Sequence, residues 1–593
     1  MLAPSVPDLP AVSEATLRAV PNGAIGWIDR PKEGAQVPRY FEGANGSFLL
    51  VYGTPFLLDR PVAAALQAAA TEGAADVLAL ARSLDGLFGL VYYDAAARTV
   101  SVHNDNLGFS PLYWHRDEGL VLIANSVTGL TRTKAFPITF NPEAWGALLR
   151  YGSTLGDSYY CREVERLSGG IDATWTPDTG ALTISSRRWW PRVDPSLTLD
   201  TFDSHETVDL LRKEIEAYRA WYPSPTLLLS GGGDSRLMLA LLGKDGCDHA
   251  VTVNHPDEAW DMDGVAAAAL AKDFVRDFER VGNGRDYYSS EDYFDFMQLH
   301  ELAVPSTELF IANLYGPLRR KRLPAFWSGM MPGTHLFPPG RNEPDTLTQY
   351  VARTVYAADV PHVARALSVF RNPEGINEAF ENQFANMLRR YEDTEESIAE
   401  FAVPNRHRNR LAAIPMKVLA PYSEPLVPGI SRAVFERVLA LPRKYRRGHA
   451  LWYKLFETHF PEYLRYPTIS RGEIKISEHL PWKWRAIMRL AEMYQGSLAE
   501  RAMMKLTGNP AHYFRPSTLV DRVIQVIDPG HEDLNPDVVR RLQAGGTGDR
   551  LDYNLQYSRQ ILFHWKVWRD QMEGRTEELR KMLFPESKTT SGS

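Results

Sequence analysis

The sequence predicts a chain of mixed α and β structure: a layered-sheet unit first, then an α/β unit with a parallel, doubly wound sheet, then helices. Three observations predict it. Short β-rich runs separated by Gly, Asp and Asn fill residues 1–195. Pro225 to Leu242 reads as buried strand, glycine turn and helix, and a second strand-then-helix unit follows directly. Beyond residue 480, aromatic and aliphatic residues recur at helical spacing among basic ones.

The bulk properties narrow the function classes. A chain of 593 residues exceeds one core and predicts two to four domains. Its 44% hydrophobic, 23% charged and 11% aromatic residues are those of an ordinary globular protein. A net charge of −7 spread over this length gives no electrostatic footprint for nucleic acid. Cys161 and Cys247 are the only cysteines and lack metal-ligand spacing, which fits a reducing cytosol. No basic-then-apolar leader opens the chain and no stretch reaches the length of a membrane span. The expectation is a cytoplasmic protein with neither a nucleic-acid nor a membrane partner.

In chain order, the strand candidates of the first unit are AIGWID, SFLLVYG, LFGLVYYD, TVSVHND and LVLIANS, with helical periodicity over Arg60 to Ala81. An amphipathic helix over Asp200 to Tyr222 leads into Leu227-Leu228-Leu229, a short buried strand. Next comes Ser230-Gly231-Gly232-Gly233-Asp234-Ser235. A glycine turn between a buried strand and a helix N-terminus leaves N–H groups pointing outward, and the helix dipole adds positive potential, so this is an anion site. Ser230 and Ser235 add hydroxyl donors. A carboxylate beside phosphates repels them unless a cation lies between, which makes Asp234 a Mg²⁺ ligand. The Gly-Lys-Ser/Thr ending of a Walker loop is absent. Val251-Thr252-Val253 is the second buried strand, and the acids Asp261 and Asp263 open the helix after it. Those acids are read either as site residues or as a dipole-stabilised first helical turn.

These residues resemble a known family. The loop is similar to the SGGxDS pyrophosphate loop of the N-type ATP pyrophosphatases. Upstream, Gly86, Phe88, Gly89, Asp94, Asp105, Gly108, Pro111, Leu112, Tyr113 and Ser126 match the amidotransferase-like domain of the asparagine synthetases. The resemblance implies an α+β Ntn-type sandwich over residues 1–195 and an α/β adenine-nucleotide-α-hydrolase-like, parallel-sheet synthetase domain over 200–480. A helical C-terminal extension over 481–593, ending in a disordered ESKTTSGS tail, completes the chain. Glutaminase chemistry in that family needs a cysteine at the second position, and this chain begins Met1-Leu2. The expectation is an amidotransferase-like fold without glutamine hydrolysis, as in the β-lactam synthetase and lasso-peptide cyclase branches.

The same resemblance supplies site roles. ATP and Mg²⁺ are the implied cofactors. Ser230, Gly231, Gly232, Gly233 and Ser235 would hold phosphates, Val253 would line the adenine pocket, and Gly329 would belong to the partner loop that begins at Ser328. Asp234 would hold the metal and serve catalysis, and Lys475 or Arg471 would supply a cation for the transition state. Three positions depart from the family. Thr334 and His335 stand where it has a metal-ligating Asp and a Glu, and Lys417 stands where it has a Glu. The expected activity is ATP-dependent amide-bond formation through an acyl-adenylate, with macrolactam formation on a peptide as one form. The substrate would be a carboxylate-bearing small molecule or peptide, and the partners a leader-peptide-binding protein or protease. A catalytically degenerate scaffold that binds nucleotide or a partner is the alternative. A tRNA-modifying relative is third and predicts a basic face that the composition lacks.

Overall fold

Alternation of apolar side chains builds the first unit, as seen in the computed structural model. The model describes residues 15–28, 34–117, 120–133, 136–187, 189–243, 246–254, 262–283, 286–302, 316–330, 344–356, 360–412, 415–470, 473–475, 517–545 and 553–585, with a few positions between 482 and 489. The chain opens with a hairpin of β1 (Ala15–Val20) and β2 (Gly23–Ile28). The strands β3 (Tyr40–Glu42) and β4 (Phe48–Phe56) follow, then helices α1 (Val62–Glu72) and α2 (Ala74–Ser83). The helical periodicity over Arg60 to Ala81 is thus two helices, divided at Gly73, whose φ of +123° no ordinary side chain favours. After them come β5 (Asp85–Asp94), β6 (Thr99–Asn104), β7 (Tyr113–Asp117) and β8 (Leu120–Ala124). Helices α3 (Val127–Thr133) and α4 (Pro142–Tyr151) and strands β9 (Glu165–Arg166), β10 (Ile171–Thr176) and β11 (Ala181–Ser186) complete the unit.

Six of these strands form one antiparallel sheet in the order β11-β10-β6-β5-β4-β3, and three form another in the order β8-β7-β9. Successive residues of β4 point to opposite faces. Leu49 and Val51 join the core beneath α1 and α2, whereas Phe48 and Leu50 meet Val121 and Ile123 of the smaller sheet. The unit is therefore layered as the sequence predicts.

The second unit begins with α5 (Ser204–Arg219), capped by the Asp203 carboxylate, which accepts from the N–H groups of His205 and Glu206. The βα rhythm follows: β12 (Thr226–Leu228), α6 (Gly233–Leu242), β13 (His249–Asn254), α7 (Met262–Phe274) and β14 (Asp277–Gly282). Then come α8 (Glu291–Leu299), β15 (Ala325–Trp327) and β16 (Glu424–Leu426). All five strands are parallel, in the order β14-β13-β12-β15-β16. Strand order reverses between β12 and β15, and in such sheets ligands bind outside the carboxyl ends at that reversal. An antiparallel hairpin of β17 (Thr468–Ser470) and β18 (Glu473–Lys475) packs on α6 and α7.

Beyond the hairpin the described residues include the helices Thr518–Gln525, Pro536–Ala544, Tyr553–Met572 and Thr576–Leu583. From Tyr557 on, the helix Tyr553–Met572 is buried, with Ile561, His564, Trp565, Trp568 and Met572 all inside the protein. It lies against α3, α8 and the helices Val360–Leu367 and Thr518–Gln525. No helix among the described residues is long and apolar enough to cross a membrane.

Cores are shared between units. One cluster joins Leu49, Val51, Phe88 and Leu90 of the first sheet to Leu227, Leu237, Trp327 and Val434 of the second unit. Another joins Tyr113, Trp145 and Tyr160 to Tyr293, Phe326, Phe563 and Trp568.

Candidate functional site

The glycine loop lies at the carboxyl end of β12, the middle strand of the parallel sheet. The Leu229 N–H still pairs with the Val251 carbonyl at 2.9 Å, so the chain leaves the sheet only at Ser230. The turn is cross-braced by its two serines: their hydroxyls lie 2.9 Å apart, and the Ser230 N–H donates to Ser235 Oγ at 3.0 Å. Gly232 is the N-cap of α6 and has no side chain to fill the helix end. Asp234 is half-buried in the first helical turn.

Two of the three glycine N–H groups do not point outward as the sequence reading expected. The Gly231 N–H donates to Asp263 Oδ1 at 2.9 Å, and the Gly232 N–H donates to Ser230 Oγ at 3.2 Å. The physical reason is close packing against the first turn of α7. A Cβ on Gly231 would lie 2.9 Å from Ala266 Cβ and 3.1 Å from both the carbonyl and Oδ1 of Asp263. Asp263 is thereby both a first-turn helix acid and a loop residue, whereas Asp261 lies outside the described residues.

The loop after β15 completes the edge. The Ser328 N–H donates to the Leu426 carbonyl at 2.9 Å, extending the sheet by one bond. A Cβ on Gly329 would sit 2.7 Å from the Asp234 carbonyl carbon and 2.8 Å from the Ser235 nitrogen. Only a glycine allows the two loops to touch backbone to backbone here. Val253 sits near the carboxyl end of β13, one strand away. The structure therefore brings Ser230 to Ser235, Gly329 and Val253 to one sheet edge. Thr334, His335 and Arg471 lie outside the described residues, and of Lys475 the backbone is described, paired with Thr468 in the hairpin.

Sequence reasoning missed two residues that hold this edge. Trp452, buried in the helix Ala450–His459, donates from Nε1 to the Gly233 carbonyl at 3.0 Å. Arg236, one turn into α6, is completely buried and donates to the carbonyls of Tyr463, Tyr466 and Pro467. Burial pulls its pKa down to about 9.

Lys417 is occupied elsewhere. Its ammonium is buried against the Glu301 carboxylate and lies 4.4 Å from the centre of the Tyr113 ring. Glu301 also accepts from Ser126 Oγ at 2.7 Å, the Thr128 N–H at 2.9 Å and the Val127 N–H at 3.2 Å. Burial opposes both charges, yet their mutual attraction holds Glu301 below and Lys417 above their ordinary values. In the first unit, the Asp105 carboxylate accepts from the N–H groups of Leu107, Phe109 and Ser110 at 3.2, 2.9 and 2.9 Å. It shapes its own loop. Cys161 and Cys247 are buried thiols, and burial pushes Cys247 up to about 12, so neither is poised as a thiolate.

No group of three or more His, Cys, Asp or Glu able to hold a metal occurs among the described residues. Mg²⁺ does not require one, since it keeps several waters and binds through one or two carboxylates plus substrate phosphates. A half-buried carboxylate in the first turn of α6, at a helix end without a capping side chain, fits such an ion.

Comparison with known proteins addresses the first unit. Residues 65–190 match a family described as the glutamine amidotransferase domain, so the chain contains an amidotransferase-like domain. Among solved structures, glutamine phosphoribosylpyrophosphate amidotransferase from B. subtilis, complexed with ADP and GMP, is similar at 14% identity and a TM-score of 0.19. That similarity covers 44% of this chain and 52% of the other, so the chain spans about half of its length. No curated protein matches.

Proposed function

We propose that the chain is an ATP- and Mg²⁺-dependent ligase that forms an amide bond without hydrolysing glutamine. The observation that carries the reading is the glycine loop and the uncapped N-terminus of α6 at the strand-order reversal of a parallel sheet. A substrate carboxylate would attack the α-phosphorus of ATP, forming an acyl-adenylate and releasing pyrophosphate, and an amine would displace AMP. Mg²⁺, when bound, supplies positive charge that offsets the phosphates and eases departure of pyrophosphate. Asp234 would hold that ion. The first-turn N–H groups of α6 would bind phosphate oxygens, and Gly329 would keep the neighbouring loop close enough to exclude water. Val253 would form part of the adenine wall. A cation from the 468–475 hairpin, Lys475, would stabilise developing negative charge, and Arg471 is proposed for the same role.

The amidotransferase-like unit would contribute packing rather than ammonia. Two buried thiols, Cys161 and Cys247, whose pKa burial raises, support that part of the reading. An amine carried by the same substrate would then suit the chemistry, as in closing a macrolactam on a peptide delivered by a leader-binding partner or protease. Pyrophosphate release from ATP with candidate carboxylates tests the reading. An Asp234→Ala chain that releases pyrophosphate as fast as the parent would sink it.

The second reading is a scaffold of the same fold that binds nucleotide or a partner without chemistry. Internal satisfaction of the Gly231 and Gly232 N–H groups favours it, since fewer donors remain for phosphate. ATP binding without exchange of labelled pyrophosphate into ATP is the result that would select it.

A further inference from the structure

Arg236 presents an electrostatic anomaly. It is completely buried, and its hydrogen-bond partners among the described residues are carbonyls, with no carboxylate among them. It also lies one turn from the N-terminus of α6, where the helix dipole is already positive. Its Nε has no hydrogen-bond partner among the described residues, so only the two terminal nitrogens are satisfied. Cations in this position are disfavoured by burial and by the dipole alike. What the guanidinium gains instead is a specific grip on three carbonyls in the last turn before the hairpin: Tyr463, Tyr466 and Pro467.

The chain on the far side of that grip leads straight into the hairpin, which packs on α6 and α7. Pro467 precedes Thr468, and Thr468 pairs in register with Lys475. The approach to the hairpin is held from α7 as well: Phe274 stacks on Tyr463 at 4.1 Å, and the Tyr466 hydroxyl donates to Asp273. Pro467 itself, the residue just before the hairpin, is gripped by Arg236. The same short helix thus carries the loop at its N-terminus and the strut to the hairpin one turn later.

We propose that Arg236 is a positioning residue: it fixes the 468–475 hairpin relative to the glycine loop, so that anion binding at the loop and placement of the hairpin are coupled. This rests on the ATP reading for its ligand but not for its geometry. A polyphosphate at the end of α6 supplies the negative charge that the buried guanidinium lacks, strengthening the helix end and the strut together. Coupling of this kind is reciprocal, so the hairpin's order also tunes loop affinity.

The test uses the full chain and amide hydrogen exchange, which reports local opening segment by segment. Without ligand, Arg236→Met is expected to speed exchange across 468–475 by about tenfold or more, while amides of β13 and β14 stay unchanged. Arg236→Lys, which keeps the charge and some donors, is expected to fall between Met and the parent. Mg²⁺ with ATP, or with inorganic pyrophosphate, is expected to slow hairpin exchange in the parent and to leave it unchanged in the Met variant. Equal hairpin exchange in parent and Met variant overturns the strut, and ligand protection of the hairpin that survives in the Met variant overturns the coupling. If neither probe binds the parent, the ATP reading fails and the ligand-free comparison still decides the strut. Where the Met variant does not fold, Arg236→Gln is read in its place against the same outcomes.

Discussion

The N-termini of α3 and α6 pose the same electrostatic problem and are treated in opposite ways. At α3 the protein supplies its own anion: Glu301 collects the Ser126 hydroxyl and the Val127 and Thr128 N–H groups, and Lys417 balances its charge. That helix end is sealed. At α6 the cap is a bare glycine and the carboxylate in the first turn is half-buried. Arg236, a buried cation one turn further along α6, bonds to carbonyls. One end is a finished joint between units; at the other, Asp234 in the first turn and Asp263 on the Gly231 N–H face a helix end capped only by glycine. A structural helix end is thus told from a candidate binding one by a capping side chain whose charge a buried partner balances, present at α3 and missing at the glycine cap of α6.

The largest expected effect would break the sealed end. Lys417→Met leaves Glu301 buried without its cation, and chemical denaturation should show a loss of about 3–5 kcal/mol. If the loss is under about 1 kcal/mol, the joint is not what it looks to be. pH gives a second handle on the same pair. Glu301 is held below its ordinary value, so its contribution is complete above the ordinary glutamate range and fades as pH falls through the lowered value. Lys417 is held above its ordinary value, so its contribution is complete below the ordinary lysine range and fades as pH rises through the raised value. Stability from the pair should be level through neutrality and decline at both extremes, and Lys417→Met should abolish both declines.

Next in size is the open end. Asp234→Ala should lower pyrophosphate release by about 100-fold, while the midpoint of unfolding barely moves because the side chain is half-buried. A smaller effect is expected from Gly329→Ala. Its methyl meets backbone at 2.7 Å, and forcing the loops apart should destabilise by about 1–3 kcal/mol. ATP affinity should fall with it in an equilibrium titration. Asp263→Asn is the smallest change and the sharpest: it keeps an acceptor for the Gly231 N–H while removing a charge that would repel phosphate. Stability should stay within about 0.5 kcal/mol of the parent, with phosphate or pyrophosphate binding slightly tighter. Weaker binding would instead make Asp263 a direct participant in holding the metal.

Much of this comparison was legible in the sequence on one side only. The strand, loop and helix around Ser230 could be read because their determinants are local: three leucines, three glycines and a helical run lie within eighteen residues. The βα rhythm gave the parallel sheet for the same reason. Arg236 was invisible as a strut because its acceptors lie 227 to 231 residues further along the chain. Glu301 was equally hidden, since its partners at α3 are 173 to 175 residues upstream. The helix Tyr553–Met572 read as an extension because its spacing is amphipathic to the eye. In the fold it is surrounded by α3, α8 and the helices Val360–Leu367, Thr518–Gln525 and Thr576–Leu583, and from Tyr557 on its side chains are buried. Asp105 lies in a motif readable in the sequence, and its three N–H partners show that this aspartate specifies a loop shape.

The shared interior has a consequence for how this chain can be divided. Leu49, Val51 and Phe88 of the amidotransferase-like sheet and Leu227, Leu237 and Trp327 of the parallel sheet belong to one continuous apolar mass. A cut near residue 200 would expose an oily wall on each fragment, and each should clump when made alone yet recover solubility when the two are made together. The amidotransferase-like unit could not then be shed without baring the apolar face of the parallel-sheet unit. It would persist as masonry, because its neighbour leans on it.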